Sequence, residues 1–313
     1  MGARPDGRWS WIAAVVCVAV LAAHPVAAAG SDLHVLDSLS GDQDTVALWT
    51  TMVRELRKDS SYTLPAKDPT AAERAWSSLI ASRLERWQSE TSALAALFVP
   101  AKPPASVQIV IGHGGGEDAF THDANTIGFD AVRLHAEYGD ASAPENADRI
   151  DRFFRHEYVH LLQKSWLARH PYAADTPLRA ALLGIWLEGL GNYYSLSSRW
   201  RDGDGALTAP ARQTLTRLAP RFLARLAALA CASRERGPSL MSGLSMGPFT
   251  EKWGALPVAL WLAEAERASP DALRAFIVAG PDGVWTLSSR HLSEESRAFL
   301  REIQDTAALC AVE

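Results

Sequence analysis

Residues 148–169 read DRIDRFFRHEYVHLLQKSWLAR, and the stretch contains neither proline nor glycine. Ile150, Phe154, Tyr158, Leu161, Leu162 and Trp166 recur at helical spacing. At about 100° per residue they make one broad apolar stripe, with His156 and His160 roughly opposite. Histidines four residues apart stack one turn above the other on a helix. That placement brings two imidazole nitrogens to one zinc ion at about 2.0–2.1 Å, and Glu157 falls within reach of the metal's water. HEYVH, residues 156–160, is therefore read as a metal-binding turn. One helix face packs into a core and the other presents two histidines and a glutamate.

A catalytic zinc takes a third protein ligand and keeps one position open. The continuation HExxHxxGxxH is not met, because Gln163 stands where the glycine belongs and Trp166 where the third histidine belongs. His170 lies on another face, beside Pro171. Glu188 is the candidate, in the apolar segment WLEGLGNYYS of residues 186–195. A carboxylate there is costly unless it is paired, hydrogen-bonded or bound to a metal. Gly184, Gly191 and Ser195 share the helical face of Glu188, and small residues let two ligand helices approach closely. Asn192, one turn after Glu188, is placed to hydrogen-bond a ligand histidine's other ring nitrogen.

HEYVH at 156–160 and WLEGLGNY at 186–193 resemble the gluzincin metallopeptidases, the thermolysin and aminopeptidase-like clan of peptidase MA-like enzymes. The resemblance implies His156, His160 and Glu188 as ligands of one zinc per chain, with Glu157 as general base and acid toward a zinc-activated water. It also implies a zincin-like fold, in which the edge strand of an upstream sheet lines the cleft and aligns an extended peptide; TIGFDAVRL, residues 126–134, is expected in that role. The GGGED at 114–118 is not the GxMEN motif of the large aminopeptidases, so specificity for a free amino terminus is not implied. Gluzincins place a tyrosine or histidine downstream to bind the developing oxyanion. Here no tyrosine follows Tyr194, and Tyr193 and Tyr194 turn away from the metal if Glu188 faces it. His291, the one histidine after His170, is the remaining candidate, with a surface histidine as the alternative.

The rest of the chain supplies scaffold. Val46, Trp49, Met52, Val53 and Leu56 keep helical spacing, and Thr70 with Glu73 forms a capping box opening a helix that runs toward Phe98. SVQIVIG, residues 106–112, is a β-branched strand, and GHGGGEDAFTHDAN between the two strand candidates reads as a loop. Its three glycines suit either a flexible turn or a close approach to a ligand. From Asp148 onward the pattern is helical. Thr176-Pro177 opens a helix apolar on nearly every side, and Thr250 caps one that Pro257 kinks. The fold class expected is α+β and predominantly helical. One domain spans 30–313, with N-terminal helices and a small mixed sheet over 30–140 and the metal-binding and C-terminal helices over 141–313.

Residues 1–29 read as a signal peptide: Arg4 and Arg8, then the apolar WIAAVVCVAVLAA, then small residues before Gly30. An uncleaved segment would instead be a membrane anchor. Cleavage removes two arginines and one aspartate, moving the formal charge from −5 to −6, and with no basic block nucleic acid is excluded as a partner. Export exposes Cys231 and Cys310 to oxidising conditions, so they form either one disulfide or two separate buried thiols. The function expected is an exported zinc metallopeptidase acting on a peptide or protein substrate. The alternative is a zincin-fold binding protein or pseudoenzyme that keeps the metal but lacks a full oxyanion site.

Overall fold

Strand pairing sets the frame of the N-terminal half. The computed structural model describes residues 30–64 and 67–310 of the chain, and the expected leader, residues 1–29, lies outside the described residues. Strands β1 (Asp32–Asp37), β2 (Ser106–Gly112), β3 (Ala119–Thr121) and β4 (Thr126–Asp130) form one sheet in the order β1-β2-β4-β3. The first three neighbours in that order run parallel, and β3 closes the edge antiparallel to β4. The helices are α1 (Gln43–Arg57), α2 (Ala71–Ser82), α3 (Leu84–Ala96), α4 (Ala131–Tyr138), α5 (Pro144–Arg169) and α6 (Pro177–Tyr194). They continue as α7 (Ala209–Ala230), α8 (Gly237–Met241), α9 (Ala255–Ala268), α10 (Ala272–Ala279), α11 (Gly283–His291) and α12 (Glu294–Cys310). The chain is thus α+β and predominantly helical, with a small mixed sheet ahead of the HEYVH helix.

Alternation along β2 divides the core. Val107, Ile109 and Ile111 join the main cluster, while Val110 points to the other face and packs with Trp49, Met52 and Val53 of α1. The main cluster is continuous from Leu33 to Ile303. The helix carrying HEYVH is held to it by aromatic rings: Trp87 stacks on Phe154 at 4.5 Å, and Phe154 on Tyr158 at 5.5 Å. Buried Asp151 accepts hydrogen bonds from Arg83 at 2.7 and 2.9 Å and from the Trp87 indole at 2.8 Å. Arg155 grips Glu90 through two bonds of 2.8 Å. Charge-assisted, bidentate bonds of this kind fix both the height and the rotation of α5.

Several expectations change. TIGFDAVRL is not the edge strand: Thr126–Asp130 is the interior strand β4, flanked by β2 and β3, and Ala131 begins α4. The switch comes from Asp130, whose carboxylate accepts from the backbone N–H groups of Val132 and Arg133 and caps α4. The edge strand on this side of the sheet is β3, inside the segment read as a loop, and β3 packs against α5. The three glycines before it are no flexible turn. Asp130 accepts from the Gly114 and Gly116 N–H groups, Arg57 donates to the Gly114 and Gly115 carbonyls, and Gly116 takes a φ of 102° that favours glycine.

The helix opened by the Thr70–Glu73 capping box stops at Ser82 and restarts at Leu84, because Arg83 turns toward Asp151. Thr250 sits inside a short 3-10 turn, Phe249–Glu251, and does not cap α9, which begins at Ala255. Pro257 then falls in the first turn of α9, where its missing N–H removes no helical bond, so the expected kink has no broken hydrogen bond to cause it.

Cys231 and Cys310 form a disulfide with a Cα–Cα distance of 5.5 Å, joining the end of α7 to the last residue of α12. No helix of the described residues is long and apolar enough to cross a membrane. Closing a loop of 79 residues restricts the unfolded chain, which for such bridges amounts to about 2–4 kcal/mol. Replacing both Cys231 and Cys310 by serine is expected to lower the urea-unfolding stability by about that amount. A variant with an unchanged midpoint and slope would show that the bridge contributes nothing.

Candidate metal centre

Three side chains converge where α5 crosses α6. His156 and His160 come from α5 and Glu188 from α6, and their donor atoms lie within 4.8 Å of one another. The two Nε2 atoms are 3.0 Å apart, and each is 3.8 Å from a Glu188 carboxylate oxygen. Zinc–ligand bonds of about 2.0–2.1 Å in a tetrahedron put neighbouring donors about 3.3 Å apart. The observed separations bracket that edge, so the donor set fits a tetrahedral divalent cation and leaves a fourth position free.

The histidine tautomers are set from outside. Gln163 is fully buried, and its Nε2 donates to the Trp186 and Leu187 carbonyls at 3.1 and 3.3 Å. Its Oε1 therefore faces His160 Nδ1, at 2.9 Å, and can only accept. The His160 proton sits on Nδ1, and Nε2 offers a lone pair to the cluster. His156 Nδ1 lies 3.0 Å from Ser195 Oγ, which can take its proton in the same way. Burial, then the neighbouring His160 and Lys252, hold His156 well below its ordinary pKa, in the neutral form that binds metals. With both protons on Nδ1, two Nε2 lone pairs and a carboxylate face one spot, a donor set suited to a cation.

Close approach of the helices depends on Gly191. A Cβ there would sit 2.9 Å from the His156 ring, closer than such contacts allow. Gly184 has no such role, since a Cβ there would meet only Leu244, at 3.7 Å. The helix is also less enclosed than its composition implies. Gly184, Leu187, Glu188, Tyr194 and Ser195 are half-buried, and the Glu188 side chain keeps 32% of its surface exposed. This strip leaves one side of α6 partly open to solvent.

Glu157 stands beside the cluster without joining it, with Oε1 4.0 Å from His156 Nε2. Burial, reinforced by the Glu188 and Asp118 charges, pushes its carboxyl up to about 8, against opposing pulls from Lys164 and the Thr121 backbone.

Two expected residues lie elsewhere in function. Asn192 is not the partner of either ring: Gln163 and Ser195 fill both places, and the Asn192 side chain is buried with Nδ2 unpartnered. From Glu188, Asn192 is about 40° round the helix on the side away from His156, whereas Ser195 is about 20° toward it. His291 pairs with Glu264 of α9 at 3.2 Å and stacks on Trp261, so it does not serve the cluster. Gln163 was within reach of sequence reading, three residues after His160. Lys252, whose charge acts on His156, carried no sequence signal.

Comparisons of the chain with protein-family models, with curated proteins and with solved structures find no match.

Gln163→Ala should weaken divalent-cation binding by about 10- to 100-fold in a competitive chelator titration, because His160 loses the acceptor that fixes its tautomer. Asn192→Ala should leave the affinity unchanged. The reverse ranking would mean that the Gln163 contact does not set the ligand.

Proposed function

We propose that the chain is an exported zinc metallopeptidase of gluzincin type, built on a zincin-like fold. The observation that carries this reading is the convergence of His156, His160 and Glu188 with Glu157 alongside, next to an edge strand. Zinc in such a donor set supplies Lewis acidity to a carbonyl and acidity to water.

The chain's own groups account for the remaining tasks. Glu157, beside the histidine pair, takes the proton of the attacking water and returns it to the leaving amine. Strand β3 pairs with β4 on one side only, and its free edge suits an extended peptide added as a further strand. Gln163 and Ser195 orient the two imidazoles and touch no substrate. Residues 1–29 act as the export leader in this reading, and the substrate is a peptide or protein.

A second reading has one observation in its favour. His291 is engaged with Glu264, and Tyr193 donates its hydroxyl to Glu266, so neither supplies the oxyanion donor common in gluzincins. A metal-holding pseudoenzyme would show the same arrangement.

The decisive measurement is hydrolysis of a quenched fluorescent peptide library by the purified chain. Turnover should vanish with 1,10-phenanthroline and return with stoichiometric zinc. Glu157→Gln should keep zinc and the wild-type melting temperature yet lose about 10²- to 10⁴-fold in turnover, the usual worth of a general base. Zinc binding without any turnover in the wild type would favour the pseudoenzyme, and absence of zinc would remove both readings.

A further inference from the structure

A histidine serves a metal only while its ring is held in one orientation and one tautomer. Gln163 does this for His160, and Gln163 is itself fixed by two carbonyls of α6. For His156 the partner is Ser195, whose Oγ lies 3.0 Å from Nδ1. A serine hydroxyl has three staggered positions about one bond, so the Ser195 backbone must be held for one of them to meet the ring. Ser195 caps the C-terminus of α6, where backbone carbonyls lose their partners within the helix. Whatever holds this residue therefore acts on His156.

Both sides of the Ser195 backbone are held. Its N–H donates to the Gly191 and Asn192 carbonyls at 3.2 and 3.0 Å, and its carbonyl accepts from Arg152 Nη1 at 3.0 Å. The guanidinium is fixed in turn: Nε donates to Asp148 at 2.8 Å, and the Arg152 side chain keeps only 13% of its surface exposed. A cation at the carbonyl end of a helix is also favoured by the helix dipole. Asp148, Arg152, His156 and His160 follow at intervals of four and share one face of α5. Arg152 stands one turn before His156 and Gln163 three residues after His160, and each donates from α5 to carbonyls of α6. The two histidines are thus bracketed by the groups that join the helices.

We propose that Arg152 is a positioning residue of the metal centre: by holding the Ser195 carbonyl it aims Ser195 Oγ at His156 Nδ1, which keeps the ring proton there and the Nε2 lone pair free for a cation. The proposal rests on the reading of His156, His160 and Glu188 as metal ligands. A competing arrangement gives the contact its purpose. With its proton on Nε2, the His156 ring would point a donor at His160 Nε2, 3.0 Å away, and at Glu188, 3.8 Å away. Both groups accept, so that tautomer is favourable in the metal-free protein, yet it occupies the lone pair that a metal requires. An acceptor fixed at Nδ1 opposes it. Because Arg152 reaches the ring through the Ser195 hydroxyl, its effect should disappear once that hydroxyl is removed.

The test uses the full chain, the variants Arg152→Met, Arg152→Lys and Ser195→Ala, and the double variant of Arg152→Met with Ser195→Ala. Zinc affinity is read by competitive chelator titration, and the His156 tautomer by proton–nitrogen-15 spectra of the zinc-free protein at mildly alkaline pH. Arg152→Met should weaken zinc by about 10-fold and move the His156 proton toward Nε2, and Arg152→Lys should recover part of both. Ser195→Ala should lose at least as much, and the double variant no more than Ser195→Ala alone, whereas independent residues would multiply their losses. Folded Arg152→Met with zinc affinity within about twofold of wild type and an unchanged tautomer overturns the proposal, whatever its melting temperature, since Arg152 would then only cap α6. Multiplying losses in the double variant overturn it as well. Should Arg152→Met not fold, Arg152→Gln takes its place, with the same expected losses and the same overturning results. A wild type that takes up no zinc overturns the metal-ligand reading, and the tautomer of the zinc-free variants still decides the link from Arg152 to His156.

Discussion

The Gln163 amide joins the two helices on which the cluster is built. Its Nε2 spans two successive carbonyls of α6, those of Trp186 and Leu187, and its Oε1 holds the His160 ring on α5. Leu187 directly precedes Glu188, so the same amide sets the height of the carboxylate against the imidazole. Turned end for end, the amide would offer a donor to His160 Nδ1 and face two carbonyls with its oxygen. The ring would then carry its proton on Nε2, pointing into the cluster, and a fully buried amide would lose its partners at about 1–3 kcal/mol. The orientation is therefore determined by backbone groups that no ligand touches.

That clamp works only if α5 and α6 arrive in register, and two sets of contacts see to it. On the sheet side, stacked Trp87, Phe154 and Tyr158, together with the Asp151 and Glu90 ion pairs, lock α5 in rotation. Burial alone would raise the pKa of Asp151 and Glu90, yet the bonds from Arg83 and Trp87 and from Arg155 bring both below their ordinary values. These carboxylates are thus better stabilised as anions in the fold than in water. On the α6 side, Gly191 lets the His156 ring lie against the helix backbone, and Val258 of α9 presses on the opposite flank at Gly189.

Legibility in the sequence followed the range of the interaction. HEYVH, the apolar stripe behind it and the carboxylate of Glu188 are properties of single helices, and helical spacing displays them. Strand β3 is three residues long, and Ala-Phe-Thr becomes a strand only through pairing with β4. β1, DLHVLD, is half polar, with Leu33 its one fully buried hydrophobic side chain, so it gave no clear period. The break at Arg83 results from the pull of Asp151, 68 residues on. Asn192 and Ser195 lie only about 60° apart round α6, and the crossing of two helices, absent from any local pattern, decides which one meets His156. Pairing of Cys231 with Cys310 likewise needed the geometry of α7 against α12.

The same logic separates what α6 does for the fold from what it does for a ligand. Ile185, Trp186, Gly189, Leu190 and Asn192 are buried, whereas Gly184, Leu187, Glu188 and Ser195 stay half-buried along one strip. An apolar helix packed only for stability would close that strip with larger side chains, since each buried methylene contributes about 0.8 kcal/mol. Here the strip carries Leu187, a glycine, a carboxylate and a serine: Glu188 and Ser195 meet the α5 histidines, while Gly184 lies near Leu244. Glu188 and Ser195, polar on a helix otherwise filled by packing, mark the surface of α6 that meets the histidine pair.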